Sequence, residues 1–125
     1  MKRLFRVPII VRWIGWIFAH MSFLVPIARL RETSNLIAFH HPSAGYRFHV
    51  LIVPKREVAS IAQLDPNDTA FLTDLYATVQ SLVEEFHLQA YRLIVNGGEY
   101  QYFPHLHFHL ISDTGTDYPI PAGTH

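Results

Sequence analysis

No cysteine occurs in the 125 residues. This excludes a disulfide framework, a thiolate zinc site and a catalytic thiol, and it fits a reducing compartment. Charge is scarce too: 16% of residues are charged, and acidic and basic side chains balance to a formal net charge of zero. A protein that lives on nucleic-acid backbone needs a basic surface, so no nucleic-acid partner is expected. A small phosphorylated ligand is not excluded. The chain has no internal repeat and no low-complexity tract. What it has in quantity is apolar side chains, half of all residues, so it is a folded chain and not a disordered one. Its length fits one domain with a real core.

Residues Pro8 to Ile27 form a strongly apolar run preceded by Lys2, Arg3 and Arg6. A secretory signal starts this way, but no clean small-x-small cleavage site follows. A membrane-spanning helix needs about 20 apolar residues, and the run is just long enough. Against spanning stand Arg12 and His20 inside it and prolines at both ends. Wound as a helix, it puts Arg12, Gly15, Ala19 and Ser22 on one narrow stripe. Three placements stay open: docking on this domain or a second subunit, lying in a membrane surface, or spanning. The expected location is cytoplasmic, with membrane contact through this helix left open.

The remainder reads as α+β. Residues 28–31 and 35–40 are expected as short strands, and 47–53 as a third, rich in Val, Ile, Leu and Phe. Asp65-Pro66-Asn67-Asp68 signals a turn and a helix start. From Phe71 to Phe86 apolar residues recur at helical spacing, which predicts a helix of roughly 20 residues ending near His87. Residues 91–96 read as a strand closed by Gly97-Gly98. From Ser112 onward the chain is polar and proline-containing, a tail.

The most informative stretch is Pro104-His105-Leu106-His107-Phe108-His109-Leu110-Ile111. Strand side chains alternate faces. A strand here would line one face with His105, His107 and His109 and anchor Leu106, Phe108 and Leu110 in the core. Groups that titrate near neutrality in such a row suit proton transfer, nucleophilic attack or metal binding.

These residues make the chain resemble the histidine triad (HIT) superfamily of nucleotide hydrolases and transferases, in its Hint/Fhit-like hydrolase branch. The motif His-x-His-x-His with apolar spacers, followed by two apolar residues, stands at 105–111. Leu36-Ile37-Ala38-Phe39-His40, then His49 and Leu51-Ile52-Val53-Pro54-Lys55, are similar to the family's strand-loop-strand block. Val95-Asn96-Gly97-Gly98 and Gln101 are similar to its phosphate-side loop. The resemblance implies an antiparallel sheet of about five strands with one long helix over residues 28–112. It leaves residues 1–27 as an extra apolar N-terminal helix and 113–125 as a tail.

It also implies a hydrolase that cleaves at the α-phosphate of a nucleoside phosphoramidate or dinucleoside polyphosphate. His107 would be the nucleophile and form a nucleotidyl-histidine. His109 would donate to a phosphate oxygen, His105 would stand behind them, and His49 would complete a relay. Asn96 and Gln101 would position the phosphate or leaving group, and Phe39, His40 and His41 would contact the nucleoside. No metal or other cofactor is implied, and a homodimer is expected. Two departures touch the substrate side. His41 stands where many members carry an acidic residue for the ribose hydroxyls, and Tyr102 where many carry a serine. The competing readings are a nucleotide-binding module with little turnover and a His-rich metal-binding protein.

Overall fold

A computed structural model describes residues 29–41 and 45–114. The elements are β1 (Arg31–Glu32), β2 (Leu36–His40), β3 (Phe48–Pro54), α1 (Thr69–Glu85), β4 (Arg92–Val95) and β5 (Phe108–Ser112). Short 3-10 turns occupy Ile61–Gln63 and Gly98–Tyr100. The strands form one antiparallel sheet in the order β1-β2-β3-β5-β4. The expected α+β sheet with one long helix is therefore what the described chain forms. The apolar extension at 1–27 and most of the tail lie outside the described residues. No described helix is long and apolar enough to cross a membrane.

Alternation along the strands assigns the two faces of the sheet. Leu36 and Ala38 on β2, Phe48, Val50 and Ile52 on β3, and Phe108 and Leu110 on β5 point to one side and are buried. Helix α1 covers that side with Phe71, Leu75, Val79 and Leu82, spaced three or four residues apart. These contacts form the main core, where burial stabilises by about 25 cal/mol per Å² of apolar surface.

The ends of α1 follow from local chemistry. Asp68 caps the start, its carboxylate accepting from the Phe71 N–H at 3.2 Å, as short polar side chains do at helix starts. At the far end His87 takes a left-handed φ of 54°. That turn lets the Leu88 N–H reach the Val83 carbonyl at 3.0 Å and the His87 N–H reach Glu84, satisfying carbonyls the helix would leave open.

The backbone of the triad departs from the sequence expectation. Strand β5 begins at Phe108, not at His105. Pro104 has no N–H to give a ladder, and the Leu106 N–H donates 2.8 Å to the Val58 carbonyl in the β3–α1 loop. The first half of the motif is thus tied to a loop, and only its second half joins the sheet.

Candidate active site

The sheet face away from α1 carries the histidines in rows set by strand register. Phe39 pairs with Leu51, Leu51 with His109, and His109 with Ile94. One step along, His49 pairs with Ile111 and Ile111 with Arg92. His107 precedes Phe108, which points to the core, so alternation puts His107 on this outer face. Asn96, half-buried, follows Val95 of the core side and falls on the outer face likewise. Ile37, Phe39, Val53 and Leu51 form an apolar patch beside the histidines.

His107 is held by its own motif. Its Nδ1 lies 2.7 Å from the His105 carbonyl. A carbonyl only accepts, so Nδ1 carries the proton and the neutral ring keeps its lone pair on Nε2. Phe103 meets the His107 ring edge-on at 6.3 Å, and the His109 ring stands at 5.0 Å from it, tilted by 65°.

His109 and His49 are directly bonded, Nδ1 to Nε2 at 2.9 Å. His41 stacks flat on His49, with ring centroids 4.2 Å apart and planes 10° from parallel. Tyr46 meets His49 edge-on at 5.7 Å. Burial, with His107 and His41 nearby, pushes His109 down to about 4. Burial, with His41 and His109 nearby, pushes His49 down to about 4 as well. Both rings are therefore neutral at pH 7. The Nε2 of His109 is buried and makes no hydrogen bond with any described residue, a costly condition for a polar atom.

His105 is buried, 1% exposed, and its Nε2 donates to the Pro54 carbonyl at 3.1 Å. Burial lowers its pKa, and the bond to Pro54 opposes that shift. The expectation that three histidines share one strand face is thus corrected: His105 stands behind the site. His49, expected to complete a relay, bonds His109, while His105 bonds the backbone.

Two further expectations change. The Gln101 side chain turns inward and donates from Nε2 to the carbonyls of Ala59 (2.8 Å) and Phe103 (2.9 Å). It braces the loop, and the exposed residues on either side are Tyr100 and Tyr102. His40 continues the Leu36–Ala38 alternation to the helix side, where it meets Phe48 at 6.1 Å. Phe39 and His41 stay on the histidine face.

No residue pattern announces the support under the triad. Pro54, Val58 and Ala59, all in one segment, offer carbonyls to His105, Leu106 and Gln101. Backbone carbonyls leave no residue-type signature; only the Pro54-Lys55 block marked the segment. Tyr46 and Phe103 were also missed, and no spacing rule would have found them. Among the described residues no group of three His, Asp or Glu side chains is placed to hold a metal ion.

A five-stranded antiparallel sheet with histidines on the face away from its single helix defines a histidine-triad protein. The chain belongs to that family: the HIT domain model matches residues 25–116. It is 26% identical over 101 residues to the adenosine 5'-monophosphoramidase hnt1 of Schizosaccharomyces pombe, covering 79% of this chain and 74% of that protein. A HIT family hydrolase from Clostridium thermocellum superposes with a TM-score of 0.68 at 25% identity, covering 88% of this chain and 95% of that one. A histidine triad protein from Clostridium difficile superposes with a TM-score of 0.69 at 22% identity, covering 86% of this chain and 94% of that one.

Proposed function

We propose that the protein is a nucleotide hydrolase that cleaves at the α-phosphate through a covalent nucleotidyl-histidine on His107. One observation carries the reading: the His107 Nδ1 proton is fixed on the His105 carbonyl at 2.7 Å. The lone pair on Nε2 then attacks phosphorus, the Nε2–P bond forms, and the bond to the leaving group breaks. As the ring becomes cationic, the same carbonyl stabilises the Nδ1–H. Water next attacks phosphorus, the Nε2–P bond breaks, and nucleoside monophosphate leaves with His107 restored.

His109 supports the reading. If His49 donates to its Nδ1, the His109 proton sits on the buried Nε2 that has no partner among the described residues. A non-bridging phosphate oxygen satisfies that donor, and stabilisation of charge there is most of what phosphoryl transfer requires. Asn96 borders the same face near His107. Phe39 and His41 line the nucleoside side, beside the apolar patch. The likeness to a monophosphoramidase favours a nucleoside phosphoramidate over a dinucleoside polyphosphate as the substrate. The working form is a homodimer, the common arrangement for a small domain with symmetric contacts.

The test is His107→Ala. Turnover of adenosine phosphoramidate falls by at least ~10³-fold, because a nucleophile is worth several kcal/mol of barrier. The thermal transition stays within a few degrees of wild type. Near-normal turnover in this variant overturns the reading.

A further inference from the structure

We infer that the protein carries a second ligand site on the helix side of the sheet, in the cavity between the β1–β2 turn, the end of β3 and the start of α1, that takes a small anion with an apolar body. The cavity measures about 300 Å³, the lower end for small-molecule sites. Its apolar lining is Pro54, Val58, Leu64 and Phe71. Val58 and Phe71 belong to the main core and Leu64 packs against it, so the site lies behind the sheet as seen from the outer histidine face. It also lies at the β1–β2 end of the strand order, away from the β4 edge.

The charged lining selects the sign of the ligand. Lys55 and Arg56 bring two cations to the cavity and Asp68 one carboxylate. Asp68 is 12% exposed, and both of its oxygens are engaged. Oδ1 accepts from the Phe71 N–H at 3.2 Å and Oδ2 from Arg56 Nη1 at 2.8 Å, so this carboxylate orients the guanidinium. Arg56 is 64% exposed, and the pair uses one nitrogen of a group that has several N–H donors. The others suit a carboxylate or a phosphate. Lys55 bonds Glu32 at 2.6 Å, but Glu32 also bonds Arg29 at 3.0 Å, so one carboxylate serves two cations. Positive charge beside an apolar wall fits an aromatic or short aliphatic carboxylate or phosphate.

The same wall supports the triad from behind. The Pro54 carbonyl accepts from His105 Nε2 at 3.1 Å, and the Val58 carbonyl accepts from the Leu106 N–H at 2.8 Å. The His105 carbonyl in turn holds the His107 Nδ1 proton at 2.7 Å. The cavity is thus joined to His107 by a contiguous run of hydrogen bonds, the kind of network that can carry coupling between two sites. An occupant that shifts Pro54 or Val58 alters how His107 is held while touching none of the three histidines. The link is geometric and holds whatever reaction His107 performs.

The test is a titration of the isotopically labelled full chain with benzoate and with benzyl alcohol, its uncharged counterpart, followed by NMR of backbone amides and histidine rings. Benzoate gives saturable shifts at Arg56, Leu64 and Phe71. It binds roughly tenfold or more tighter than benzyl alcohol, as a charge-assisted contact supplies. The ring resonances of His105 and His107 move with the same midpoint. Arg56→Gln brings the two affinities together; Arg56 is exposed and a surface pair stabilises little, so this variant folds. No saturable shift, equal affinity for the two probes in the wild type, or a benzoate advantage that survives Arg56→Gln overturns the site. So does competitive displacement of benzoate by adenosine monophosphate, which would place the probe at the histidine face. Histidine resonances that stay still at saturation overturn the link to the triad. Turnover of adenosine phosphoramidate by the wild type judges the hydrolase reading separately.

Discussion

Acid should weaken this protein well above the pH at which its carboxylates titrate. The perturbation is a pH change from 7 to 4.5. His49 and His109 are each pushed from 6.5 down to about 4, chiefly by burial. Their folded pKa lies below the unfolded value, so above pH 6.5 both states are neutral and stability is at its full value. As the pH falls through 6.5 the unfolded chain takes up protons that the folded chain refuses, and stability is lost down to about pH 4. The ceiling for one ring is about 3 kcal/mol, at about 1.4 kcal/mol per pKa unit. The rings are partly open to water and share one hydrogen bond, so the pair together is worth on the order of 3 kcal/mol. Against a total of about 5–15 kcal/mol for a domain, the loss is easily seen. His40 and His105, lowered by burial as well, add in the same direction. The assay is urea denaturation at pH 7.0, 6.0, 5.0 and 4.5. The double variant His49→Gln, His109→Gln removes most of the slope. Stability that stays flat from pH 6.5 to 4.5, or a double variant with the wild-type slope, refutes the reasoning.

Gln101→Ala frees the Ala59 and Phe103 carbonyls and costs about 1–3 kcal/mol, as removing a partner from buried polar groups does. It also lowers kcat more than it raises KM, since Phe103 packs on His107; unchanged stability and kcat would remove Gln101 from the support of the triad. At the end of α1, His87→Gly relieves a left-handed residue at φ 54° and raises stability by up to about 1 kcal/mol. A lower denaturation midpoint in that variant would show that the His87 side chain, not its backbone, matters there.

The sheet and its helix were legible because alternation and helical spacing are written in residue types. Phe48, Val50 and Ile52, with Phe108 and Leu110, announce one buried face, and Asp68 announces the helix start. The same alternation, carried on from Leu36 and Ala38, assigns His40 to the helix side. The start of β5 was not legible. It depends on the Leu106 N–H choosing the Val58 carbonyl over a strand partner, and a carbonyl has no sequence signature. The loop position of Gln101 suggests a phosphate contact, yet two loop carbonyls hold its side chain inward. His49 was recognised as part of the site, but only register and side-chain geometry showed that it bonds His109. Arg92 reaches the histidine face through register and Tyr46 through its ring contact with His49, and nothing in their local sequence marks them.

The central claim is that His107 becomes covalently nucleotidylated. The most direct measurement is a rapid quench into base after mixing wild-type protein with phosphorus-labelled adenosine phosphoramidate, followed by peptide mapping. The account predicts label on the peptide carrying His107, stable to base and lost in acid, and none in His107→Ala. Turnover without any trapped adduct, together with inversion at phosphorus, would mean that water attacks directly and would contradict it.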